Sequence, residues 1–266
     1  MHSHLINYAK GLVGQYYQTE GNRKLVIRLK GAPGVPERPT KEAETLSKVG
    51  FDFIAPDYYG HGRSSGYFNT KNCIQTAYDT LQTFRQQIPV VSVYSPDELL
   101  LPVYEEIVIV GGSYGGWIAA AMPKFDDQLK EVVLLYPALD RLDRNEHGHP
   151  ESTDEDFLRE YLLGYKNIYR VEEGSDPYDA MLDIEPLFSL SKLGHLSETK
   201  VFVGHGSADN VIWCGRSRQF IDDLRQMNPD GNYHYAEYYG LGHGGLCKDA
   251  TLQGWLYRRK QFEVQE

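Results

Sequence analysis

Val108-Ile109-Val110-Gly111-Gly112-Ser113-Tyr114-Gly115-Gly116 is the stretch on which the reading of the fold turns. Ile107–Val110 are β-branched and apolar, as in a strand buried on both faces. Tyr114–Met122 follows at once with the small residues of a closely packed helix. Between them lies Gly-x-Ser-x-Gly, a turn so tight that small residues must flank the serine. Strand, turn and helix in that order raise the Ser113 hydroxyl above the sheet edge at a helix N-terminus. Free N–H groups and the positive end of the helix dipole face the same place. Without that context the motif would be a glycine-rich turn, because the chain holds 26 glycines. With it, Ser113 reads as a nucleophile.

Outward from this point, apolar strands alternate with helices. Gly11–Thr19 and Arg23–Lys30 read as a hairpin turning at Glu20-Gly21-Asn22. Lys41–Val49 has helical spacing, and Phe51–Ala55 is a short apolar strand. Asn72–Gln87 places Cys73, Ala77, Leu81 and Phe84 on one helix face. Val132–Tyr136, Lys200–Val203 and Tyr233–Tyr238 are further strands; Trp213–Met227 and Leu246–Lys260 are further helices. This alternation predicts the α/β class, with a mostly parallel central sheet covered by helices on both faces. Two stretches depart from it. Pro89–Glu105 is a proline-punctuated linker with room for a short hairpin. Residues 140–198 are acidic, aromatic and partly helical, and read as a lid inserted into a core of residues 1–139 and 199–266.

A serine hydroxyl needs a neighbouring base to become a nucleophile. Of nine histidines, His243 lies in Gly240-Leu241-Gly242-His243-Gly244-Gly245, a glycine-rich loop after the last strand. Such a loop lets an imidazole swing over the serine from the sheet edge. The acid that orients it should lie between serine and histidine in chain order. Asp209 ends the loop after the Lys200–Val203 strand. Asp140, after the strand ending at Tyr136, competes for the role. His205 reads as a structural loop residue rather than a base.

From about Arg23 to the C-terminus the chain resembles the α/β-hydrolases. The doubled form Gly-Gly-Ser-Tyr-Gly-Gly is similar to that of the prolyl oligopeptidase-like peptidases and their esterase relatives. His205-Gly206-Ser207-Ala208-Asp209-Asn210-Val211-Ile212 resembles the acid loop of that family. Lys30-Gly31-Ala32-Pro33-Gly34 resembles its His-Gly-x-Pro-Gly loop, departing at Lys30, where histidine is usual. The resemblance implies an α/β-hydrolase fold and a catalytic Ser113–His243–Asp209 set. It also implies an oxyanion hole made by the backbone N–H groups of Ala32 and Tyr114. Asp57-Tyr58-Tyr59-Gly60-His61-Gly62-Arg63-Ser64 matches a further family turn in which Asp57 and Arg63 tie loops together. Family peptidases carry a large gating domain, for which this chain has no room. Hydrolysis of a small-molecule carboxylic ester is therefore the leading expectation; peptidase, acyltransferase and ligand-binding roles are the alternatives.

Composition narrows the partners. The chain has 266 residues and a formal net charge of −10. That charge argues against nucleic acid, whose phosphates need a basic face. Residues 140–198 hold fifteen acidic side chains against six Lys or Arg. Nearly all of the excess thus sits in the lid, where it would favour neutral or cationic substrates if it lined the pocket. No transmembrane run or signal peptide is read at this stage, and Cys73, Cys214 and Cys247 form no disulfide framework, so a cytoplasmic protein is expected. His147 and His149 lack a third ligand at metal spacing, and no nucleotide fingerprint occurs. The expected site needs no cofactor or metal; the expected partner is a small acyl substrate, and a homo-oligomer is left open.

Overall fold

The computed structural model describes residues 1–139, 159–160, 164, 168–182 and 193–263. In chain order the first elements are β1 (His2–Tyr8), β2 (Leu12–Gln18), β3 (Lys24–Leu29), α1 (Thr40–Ser47), β4 (Phe51–Pro56) and α2 (Thr70–Arg85). Then come β5 (Val90–Ser92), β6 (Glu98–Leu99), β7 (Glu106–Gly112), α3 (Tyr114–Ala121), β8 (Glu131–Leu135) and α4 (Pro177–Leu182). The chain closes with β9 (Lys200–Gly206), α5 (Cys214–Met227), β10 (Tyr233–Tyr238) and α6 (Gly245–Glu263). Two compact units result. One holds Met1–Leu29, Pro33–Ile109 and Glu155–Ile184; the other holds Lys30–Ala32, Val110–Asp154 and Glu185–Glu266.

In the first unit β4 is the organising strand. All six of its residues are buried, so it needs a ladder on both edges. β3 pairs with it in parallel, from Lys24 opposite Phe51 to Ile27 opposite Ile54. β2 pairs with its other edge in antiparallel register, from Gly14 opposite Pro56 to Tyr17 opposite Phe53. The sequence expectation of a β2–β3 hairpin is therefore overturned: β4 lies between the two strands. β2 is itself buried from Leu12 to Tyr17. Its second edge is covered by β1, from His2 opposite Gln18 to Tyr8 opposite Leu12. The proline-punctuated linker does hold a short hairpin, β5–β6, with Val90 opposite Leu99.

α2 forms where its 3.6-residue period predicts. The Asn69 side chain caps it by accepting from the Asn72 N–H at 2.7 Å. Cys73, Ala77, Leu81 and Phe84 are fully buried. α1 is fastened by an internal ion pair, Arg28 Nε donating to Glu42 Oε1 at 2.9 Å, with both side chains at most 5% exposed. Glu42→Ala would strip the carboxylate from a guanidinium buried in β3. Unfolding by urea should then show a loss of about 3–5 kcal/mol. An unchanged midpoint would mean that water reaches Arg28.

In the second unit β8, β9 and β10 run parallel in adjacent register, Val132 beside Val201 and Val201 beside Tyr233. The apolar runs of β8 and β9 are buried, as two-sided packing requires, whereas β10 is buried only at Tyr233. α6 lies against β8 through its Trp255 indole N–H, which donates to Glu131 Oε1 at 2.6 Å. The carboxyl ends of these strands, with the last residues of β7, carry the candidate site. Asp140, His147 and His149 lie outside the described residues.

Candidate active site

Ser113 follows β7 directly and precedes α3. Its backbone sits at φ 52°, a left-handed conformation that costs a non-glycine residue on the order of 1–3 kcal/mol. The surrounding backbone fixes it there. The Ser113 N–H donates to the Leu135 carbonyl at 2.9 Å, and the Ser113 carbonyl accepts from Gly116 N–H at 2.9 Å and Ala138 N–H at 3.1 Å. The flanking glycines are steric necessities. A Cβ on Gly111 would stand 2.1 Å from the Gly115 carbonyl oxygen, and one on Gly116 would stand 2.7 Å from Pro137 Cβ.

His243 and Asp209 are brought together as the sequence predicts. His243 Nδ1 lies 2.8 Å from Asp209 Oδ2. The carboxylate can only accept, so Nδ1 carries the proton and Nε2 is left as an acceptor. The Asp209 side chain is fully buried and that of His243 is 20% exposed. The other carboxylate oxygen, Oδ1, accepts the Val211 and Ile212 N–H groups, both at 2.9 Å. Burial alone would raise the Asp209 pKa. Hydrogen bonds from His205, His243 and the Ile212 N–H, with the charge of His243, outweigh it and hold the carboxyl well below the usual range.

The glycine-rich loop is clamped onto the acid loop. The Ala208 N–H donates to the Leu241 carbonyl at 3.0 Å. The Gly240 N–H donates to Ser207 Oγ at 2.9 Å. This approach needs Gly206, where a Cβ would stand 2.1 Å from the Leu241 carbonyl oxygen. Among the described residues no hydrogen bond joins His243 to Ser113 Oγ.

Two features of the site escaped sequence reasoning. Tyr136, just past β8, also has a left-handed backbone, at φ 39°. Its ring meets the His243 imidazole edge to face at 4.5 Å between centroids. The end of β8 and the residue after it thereby reach both Ser113, through the Leu135 carbonyl, and His243, through the Tyr136 ring. The second is the place of His205, read from the sequence as a structural loop residue: it lies at the end of β9, with Nε2 3.1 Å from Asp209 Oδ2.

The loop read as an oxyanion loop lies beside Ser113. A Cβ on Gly31 would stand 3.2 Å from Ser113 Cβ, so the backbone next to Ala32 runs past the serine within van der Waals reach. Tyr114 is the first residue of α3 and is buried. Lys30, which departs from the family pattern, is buried at 3% exposure.

The remaining candidates fall in the first unit. Arg63 Nε donates to the buried Asp57 at 2.6 Å, and the Arg63 N–H donates to the same oxygen at 3.1 Å. His61 is fully buried, with Nε2 2.8 Å from the Gly34 carbonyl. Its ring packs against Tyr169 of the acidic segment. Around that contact the Arg170 N–H donates to the Gly60 carbonyl and the Phe68 N–H to the Arg170 carbonyl. Glu172, Asp176 and Asp179 line a cavity of about 570 Å³ with Phe68, Asn69, Ser175 and Ala180. Asp176 is held by Arg159 at 3.0 Å. No helix of the described residues is long and apolar enough to cross a membrane.

Comparison with known proteins agrees with this architecture. Residues 39–265 match the family described as the prolyl oligopeptidase family. An esterase of Pyrococcus furiosus superposes with a TM-score of 0.66 at 17% identity, over 99% of this chain and 90% of that one. A thermophilic esterase from Thermogutta terrifontis gives 0.57 at 20% identity, over 96% and 87%. Est1E of Butyrivibrio proteoclasticus, solved with ferulic acid bound, gives 0.66 at 16% identity, over 97% and 99%. A search of curated protein sequences finds no match. The fold is that of the α/β-hydrolases.

Proposed function

Because the chain belongs to the prolyl oligopeptidase family and is a serine hydrolase, we propose that it cleaves a carboxylic ester of a small molecule through Ser113, His243 and Asp209. Ser113 Oγ attacks the acyl carbon while His243 Nε2 takes its proton. The backbone N–H groups of Ala32 and Tyr114 receive the oxyanion of the tetrahedral intermediate. Collapse expels the alcohol, which takes the proton from His243, and leaves an acyl-Ser113 ester. Water, deprotonated by His243, then releases the acid and restores the serine.

The observation that carries this reading is the pairing of two features in one unit. Ser113 is held at φ 52° at the end of β7, and His243 lies 2.8 Å from a buried Asp209. Neither a glycine-rich turn nor a solvent histidine requires that combination. The ester preference rests on the esterase relatives of similar fold. Membership of a peptidase family favours a second reading, hydrolysis of aminoacyl or peptide bonds.

A matched panel of p-nitrophenyl esters and aminoacyl p-nitroanilides separates the two. Esters of short or aromatic acids should be turned over with kcat/KM at least about 100-fold above the anilides, a difference of about 2.7 kcal/mol in transition-state stabilisation. Preference for the anilides would replace the ester reading by the peptidase one. Turnover of neither class would remove both.

A further inference from the structure

His205 is fully buried at the end of β9. Its Nε2 faces two oxygens that can only accept, Asp209 Oδ2 at 3.1 Å and the Ile212 carbonyl at 3.1 Å. Nε2 therefore carries a proton and donates to both. Nδ1 lies 2.8 Å from the buried Ser217 Oγ of α5, whose hydroxyl donates to it when the ring is neutral. Asp209 thus has four donors in fixed places: two backbone N–H groups on Oδ1, and the two imidazoles of His205 and His243 on Oδ2. We propose that His205 is a positioning residue that holds Asp209 for His243 and, by sharing Oδ2 with it, limits how strongly the carboxylate binds the proton of the catalytic imidazole.

The inference rests on the triad assignment above and goes one residue deeper. A hydrogen bond draws charge from the oxygen that accepts it, so the second donor on Oδ2 weakens the hold of that oxygen on His243. The base is then easier to empty of its proton near neutral pH, where it must be free to act. The same bond fixes the carboxylate plane, together with the two N–H groups on Oδ1.

The other groups around this cluster keep their charge over the range that matters. Cys214 of α5 and Cys247 of α6 are thiols pushed up by burial, Cys247 to about 11, so both stay neutral. Glu237 of β10 stands beside His205 in the parallel register. Its hydrogen bond from Arg218 of α5 is the main cause that holds it below the usual carboxylate range. Tyr136, just past β8, packs on His243.

Two variants test the role. His205→Asn keeps a polar group near Ser217 and loses the donor at the Nε2 position. His205→Gln places an amide N–H where Nε2 stood. The Asn variant should lose roughly 10- to 100-fold in kcat with little change in KM. The acid limb of its kcat/KM profile should move upward by about half a unit or more. The Gln variant should return the limb to its wild-type place. A limb that stays put in the Asn variant, or moves equally in both, overturns the proposal and leaves His205 a packing residue. Nitrogen NMR of the wild-type protein gives a readout independent of folding of the variants and of activity. Nε2 of His205 must be protonated throughout the pH range, and a bare Nε2 overturns the proposal outright. Failure of the triad itself would show separately, as undiminished activity in Ser113→Ala.

Discussion

Ser113→Ala should lower kcat/KM on every accepted ester by roughly 10⁵- to 10⁶-fold, or about 7–8 kcal/mol of transition-state stabilisation. The change removes one oxygen and little else. Alanine at φ 52° meets the same backbone strain as serine, and the bonds that impose it run from main-chain atoms of residues 113, 116, 135 and 138. Thermal stability should therefore stay within about 0.5 kcal/mol of wild type, or rise slightly. On the proposed assignment the variant keeps the Ala32 and Tyr114 N–H groups and His243, which together can still assist direct attack by water. A fluorophosphonate probe should label wild-type Ser113, with the modified peptide identified by mass spectrometry, and should leave the variant unlabelled. Residual activity within about 100-fold of wild type, after contamination is excluded by active-site titration, would place the nucleophile elsewhere.

Much of this arrangement was legible in the sequence because its signals are local. α2 announces itself through Cys73, Ala77, Leu81 and Phe84, and β10 forms at the residues its composition predicts. Ser113 and Asp209 follow strands whose apolar runs are plain, and His243 follows the aromatic strand β10, so chain order alone brings them to one sheet edge. What could not be read was the choice of partner. β2 and β3 look like two arms of a hairpin across Glu20-Gly21-Asn22. They separate because the wholly buried β4 requires a ladder on both edges, and that demand comes from a segment about thirty residues downstream. β1 escaped notice for a related reason: His2, Ser3 and His4 carry no strand signal, and the strand exists because β2 needs a neighbour.

The same limit applies within the site. Tyr136 reads as the last residue of an apolar strand, and nothing in its neighbours foretells a left-handed backbone that turns its ring onto His243. The four-residue spacing of His205 and Asp209 is visible. Its consequence, two imidazoles on a single carboxylate oxygen, depends on where the glycine-rich loop is clamped some thirty residues later. Pairings across the sheet edge are set by tertiary packing, which a one-dimensional pattern does not carry.

Asp209→Asn is the change with the next largest expected effect, a loss of roughly 10⁴-fold in kcat. The reason is specific to the donors that surround this side chain. Val211 and Ile212 N–H groups point at Oδ1, so an asparagine turns its carbonyl oxygen toward them. Its NH2 group then occupies the place of Oδ2, facing His243 Nδ1 and the Nε2–H of His205. His243 Nδ1 becomes the acceptor, its proton moves to Nε2, and the base is blocked on the side that must take the Ser113 proton. His205 meets a donor where it had an acceptor, so the variant should also lose stability. That loss depends on pH in a definite sense. The folded-state pKa of Asp209 lies below its ordinary value of 3.8. The stability it contributes is therefore fully present above about pH 4 and disappears as pH falls through the folded-state value. The stability gap between wild type and variant, followed by denaturant melts from pH 7 downward, should be constant to about pH 4 and narrow below it. A gap that widens in acid would mean that Asp209 is protonated in the native protein, and a kcat within about tenfold of wild type would mean that it does not orient His243.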